Sequence, residues 1–145
     1  MIGFLLLALL AGAVLPVQTG INLQLRGVLG QPIVAALVSF IVGTAGLALL
    51  VAALRAPVPL AEAWARSSWW HWIGGLLGAV YIVAAIVLAP RLGAATLVAA
   101  LVAGQMVASL LIDHYGWVGF AVHPVSPLRI LGAVLVVGGV VLVQR

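Results

Sequence analysis

The run IVAALVSFIVGTAGLALLVAAL, from Ile33 to Leu54, carries no charged residue, and its only polar side chains are Ser39 and Thr44. A helix that crosses a bilayer core needs ~20 mostly apolar residues, and this stretch supplies them. Pro32 stands just before it, a residue suited to the first turn of a helix. The rest of the chain has the same character. Of its 145 residues, 66% are hydrophobic and 6% are charged, and the mean hydropathy is +1.39. A soluble domain is nearer half apolar, with about a quarter of its residues charged. A globular cytosolic or secreted fold is therefore excluded. Roughly 96 apolar positions make four to five spans and leave almost nothing for an extramembrane domain.

Four further spans flank this one. The first apolar run, about residues 2–25, contains Pro16. A cleaved signal peptide is the competing reading there, through the small residues Ala11-Gly12-Ala13, but no basic residue precedes the run and it is long for that role. Arg26-Gly27 and Gly30-Gln31-Pro32 punctuate a short turn before the span at 33–54. The stretch from Arg55 to Arg66 holds two prolines and Glu62, and it reads as a loop with room for a short interfacial helix. Ser67-Ser68 can cap the next helix, and Trp69, Trp70 and Trp72 form an aromatic belt at its mouth. That span covers about 69–88. Pro90-Arg91-Leu92-Gly93 reads as a tight turn, a fourth span covers 94–112, and Asp113 to Pro127 reads as loop. The last span covers 128–143. The expected fold is an all-α membrane protein of one transmembrane domain with five helices.

Charge then bears on orientation. All six basic residues are arginine, the only acids are Glu62 and Asp113, and the formal net charge is +4. Six dispersed arginines make no patch for nucleic acid. Five spans place Arg55, Arg66 and Arg129 on one side and Arg26, Arg91 and Arg145 on the other. Orientation normally follows an excess of Lys and Arg in cytoplasmic loops, and here the tally is even. Such a chain is expected to insert both ways up and pair as an antiparallel homodimer, the alternative being that a determinant outside this tally fixes one orientation. Two inverted five-helix copies make a ten-helix object of the kind many secondary transporters use, with a site near the midplane.

A polar side chain in the hydrocarbon region is costly unless partnered or facing water, so each one is a functional candidate. Gln18 and Asn22 share a face of the first span, as Gln105 and Ser109 do on the fourth. Tyr81 lies in the third. These five are the expected substrate-lining residues, with helix-to-helix hydrogen bonding as the alternative role. Gln18 lies roughly 6 Å past the centre of its span at 1.5 Å per residue. Gln105 is offset similarly on a helix that runs the other way, so the two amides meet at one level in an inverted pair. Thr and Ser in spans commonly bond their own backbone, which is the expectation for Ser39, Thr44 and Thr96. Asp113-His114 is a candidate proton relay at the interface, with capping or anchoring as its alternative. Gly74 and Gly78, and Ala95, Ala99 and Ala103, have the spacing of close helix packing.

What the chain lacks is also informative. It has no cysteine, which removes disulfides and thiolate metal sites. Neither acid lies mid-span, so the central carboxylate with which small exporters bind cations is missing. His71, His114 and His123 sit at span ends or in loops, with no zinc-binding or nucleophile pattern. No enzyme activity, cofactor or metal is expected.

In order along the chain stand Pro16-x-Gln18-x-x-x-Asn22-x-x-Leu25-Arg26, Gly30-x-Pro32, Ser39-Phe40-x-x-Gly43, Gly74-Gly75-x-x-Gly78-Ala79-x-Tyr81, Gly104-Gln105-x-x-x-Ser109-x-x-x-Asp113-x-x-Gly116 and Arg129-x-x-Gly132. Together these resemble the small YdcZ-like family of the drug/metabolite transporter superfamily, in bacterial inner membranes. The resemblance covers nearly the whole chain. It implies a five-span half-transporter paired with an inverted copy of itself or an inverted paralogue, and it names no substrate. The expected function is transport of a polar small molecule by alternating access. A non-transporting assembly subunit and a passive channel remain the alternatives.

Overall fold

A computed structural model describes residues 2–144. Arg145, counted in the arginine balance, lies outside the described residues. Long α-helices account for most of the described chain: α1 (Ile2–Leu29), α2 (Pro32–Ala53), α4 (Gly74–Leu92), α5 (Ala94–Tyr115) and α6 (Pro127–Val143), with a short α3 (Leu60–Arg66) between α2 and α4. The segment Trp69–Leu92, a 3-10 turn continued by α4, and the helices α1, α2 and α5 are long and apolar enough to cross a membrane. The apolar α6 has 17 residues, at the short end of the spanning range.

The chain divides into two compact units, Met1–Val87 and Leu88–Arg145. In the first, α1 packs on α2, and Ala35 and Ala36 of α2 are buried with Ile86 of α4, against which Leu25, Ile82 and Val83 pack. Alanines at the contact let helix backbones approach closely, which is how bundles gain dispersion energy where lipid removes the hydrophobic drive. The Phe40 ring lies over Gly78, where a Cβ would be 3.5 Å from it. In the second unit α5 packs on α6, with Leu97, Ala103 and Ala133 buried.

Three turns differ from the sequence reading. Arg26 and Gly27 are helical, because α1 runs to Leu29 and the turn needs only Gly30, at φ +77°, before Pro32 starts α2. Pro90, Arg91 and Leu92 close α4 as helix, and the reversal falls on Gly93 alone at φ +75°. Both glycines have a positive φ, which glycine adopts without the steric cost that a Cβ would bring. Asp113, His114 and Tyr115 are also helical, because α5 continues until Gly116 ends it in the left-handed region. The short helix expected in the 55–66 loop is α3, Leu60–Arg66. Ser68 opens the next element, but over a 3-10 turn: His71 N–H donates to the Ser68 backbone carbonyl at 3.0 Å, and Ser68 N–H donates to His71 Nδ1 at 2.9 Å. Beside this turn Trp64 and Trp72 lie with ring centroids 5.4 Å apart, and Trp72 Nε1 donates to Ser67 Oγ at 2.9 Å.

Candidate functional site

The first unit contains a recess of about 210 Å³ lined by Gln18, Ser39, Phe40, Gly43, Thr44, Leu47 and Ile82. Five of these come from one stripe of α2, at the i, i+1, i+4, i+5, i+8 spacing that puts residues on one helical face. Gln18 comes from α1, two residues past Pro16. That proline has no N–H to give the Gly12 carbonyl, which loosens the helix one turn before the recess. Thr19 uses its hydroxyl locally, donating to Leu15 O at 2.9 Å, so Gln18 is the side chain of this turn that faces the recess. Ile82 closes the wall from α4.

The recess offers one amide and two hydroxyls against apolar walls, and no titratable side chain lines it. An amide both donates and accepts, and a hydroxyl does the same. Such a lining suits a neutral solute with a few hydrogen-bonding groups and an apolar body. A cation would enter it without a counter-charge, at the cost that desolvated charge carries. Among the described residues no group of three or more His, Cys, Asp or Glu side chains could hold a metal.

The sequence-derived candidates are distributed unevenly around this recess. Gln18 lines it. Asn22, one turn further along α1, is 3% exposed and is the buried polar residue of the described chain, in helix packing rather than in the lining. Tyr81 is half-buried beside Ile82 and is not in the lining. Gln105 and Ser109 belong to the second unit, where both side chains are exposed. Gln105 also lies at the midpoint of α5 rather than offset from it, because that helix extends to Tyr115. Ser39 and Thr44 were expected to bond their own backbone, yet they line the recess with Gln18. The legible signal for them was the α2 stripe in which Ser39, Gly43 and Leu47 recur every four residues.

At the end of α5 the second unit builds a separate polar cluster. Arg129 pairs with Asp113 through Nη2 and Oδ2, and its Nη1 donates to His123 O at 2.8 Å. His123 N–H donates to Asp113 O at 2.8 Å, and Val125 N–H donates to His114 Nδ1 at 3.2 Å. Asp113 and His114 therefore face different partners, and each ties the loop 116–126 to α5.

Comparison with known proteins agrees with this architecture. The family described as "Putative inner membrane exporter, YdcZ" matches residues 3–142. The chain is 35% identical over 130 residues to "Inner membrane protein YdcZ" of Escherichia coli (strain K12), covering 86% of this chain and 74% of that protein. No solved structure matches. The family match over nearly the whole chain, together with 35% identity to an inner-membrane relative, places the chain in the YdcZ family of inner-membrane proteins.

Proposed function

We propose that the protein is a transporter protomer that moves a small, neutral, polar solute, with the recess lined by Gln18, Ser39 and Thr44 as its binding site. The observation that carries this reading is an uncharged hydrogen-bonding recess inside helices long enough to span the membrane. The family description as an inner-membrane exporter supports export as the direction. The working unit is an antiparallel dimer that opens its sites alternately to the two sides. Exposure of Gln105 and Ser109 in a single copy supports a second copy, because polar side chains facing lipid are costly and a partner helix would cover them.

Purified protein in liposomes, challenged with a panel of small amides, polyols and amino-acid-like solutes, tests the reading. Saturable flux of a neutral solute that weakens in Gln18→Leu and in Thr44→Val is the expected result. An assembly subunit would show no saturable flux of any solute, and a passive channel would show flux without saturation.

A further inference from the structure

Pro90 lies inside α4. Proline has no backbone N–H, so the carbonyl four residues earlier, that of Ile86, loses its helical donor. Ile86 is fully buried, and a carbonyl left unpaired there has neither water nor its own helix to satisfy it. The missing donor comes from another helix: Arg26 Nη1, from the last turn of α1, donates to Ile86 O at 3.2 Å. Among the described residues no ion pair engages Arg26, since the one present joins Arg129 to Asp113. No carboxylate therefore accounts for where this guanidinium sits. Leu25, next to Arg26, packs on the Ala35, Ala36 and Ile86 cluster.

We propose that Arg26 is a positioning residue that supplies the donor Pro90 withholds, and so pins α4 to α1. The pinned carbonyl is one turn from Ile82, which walls the recess, and Arg26 is two turns from Gln18 on the opposite wall. The consequence for the recess rests on the binding-site reading above, whereas the link itself does not. An arginine at a helix end otherwise extends toward lipid headgroups, with no dependence on any one proline.

A double-mutant cycle separates the two roles. Thermal unfolding of the full-length protein in detergent micelles would be measured for wild type, Arg26→Leu, Pro90→Ala, the double variant and Arg26→Lys. Pro90→Ala returns an N–H to the Ile86 carbonyl. Arg26→Leu is expected to lower Tm by about 5 °C in the wild-type background, as loss of one charged donor to a buried carbonyl should. Its effect in the Pro90→Ala background is expected to be less than half as large, and Arg26→Lys is expected to retain part of the stability because an ammonium also donates. Equal losses in both backgrounds, or no loss in either, would overturn the proposal. If Arg26→Leu gives no folded protein, recovery of folding in the double variant supports the link and failure of that variant to fold overturns it. No flux is read, so these outcomes stand apart from the transport reading.

Discussion

Gln18 places a primary amide in the wall of a recess whose other polar groups are the hydroxyls of Ser39 and Thr44. Replacing it by leucine removes both the donor and the acceptor, with a side chain only one bond shorter. Loss of one well-made hydrogen bond to a neutral solute is worth about 1–1.5 kcal/mol. The half-saturation concentration for transport should therefore rise about tenfold, read as concentration-dependent flux in proteoliposomes. An unchanged value for an identified solute would remove Gln18 from the site. This residue was legible in the sequence, because an amide beside Pro16 in an apolar helix has few other reasons to be there. Ser39 and Thr44 were less legible. A hydroxyl in a span can satisfy itself on its own backbone, as Thr19 does, and only tertiary packing decides which hydroxyls turn outward. Asp113 is a different case, since its interest in the sequence came from the neighbouring His114 while its partner in space is Arg129. With side chains 35% and 23% exposed, the pair stabilises only modestly. Asp113→Ala should cost about 1 kcal/mol and speed proteolytic cleavage in the loop 116–126, while saturable flux persists.

The helices themselves were read from hydropathy with little loss, and their ends were not. Apolar length fixes that a helix exists, because backbone groups in lipid must be satisfied internally. Where it stops depends on individual side chains. The last turn of α1 runs through Arg26 and Gly27 and α4 continues past Pro90, and there a donor on the first meets a carbonyl freed on the second. Neither residue announces that partnership in sequence, since they are far apart along the chain and each alone resembles a turn signal. The start of α6 was more legible. Ser126 precedes Pro127 and Leu128, and its hydroxyl accepts from Arg129 N–H at 3.3 Å. Ser126→Ala should destabilise the protein by about 1 kcal/mol, the usual value of such a cap, measured as a lowered Tm in micelles. Because α6 is the shortest of the apolar helices, fraying of its first turn would shorten a segment already near the minimum for spanning.

For the whole molecule the decisive question is how many ways it inserts. If the shorter α6 spans with the four longer helices, Arg55, Arg66 and Arg129 balance Arg26, Arg91 and Arg145, and the signal that normally orients such a chain is absent. Gln105 and Ser109 on α5 are exposed, and in the proposed antiparallel dimer an inverted copy would cover them. The absence of cysteine allows a direct test by a single introduced thiol. Ser126 is a poor position for it because that hydroxyl caps α6, whereas Ala121 is exposed in the loop 116–126 and lends only its carbonyl, to His123 Nδ1. Ala121→Cys in intact cells, treated with an impermeant maleimide, should label about half of the protein if both orientations are inserted equally. Permeabilisation should then label the remainder. All-or-none labelling would fix one orientation, and the antiparallel homodimer would have to give way to a pair with an inverted paralogue. If both orientations are inserted, replacing the exposed Gln105 and Ser109 by leucine should weaken homodimerisation and flux together.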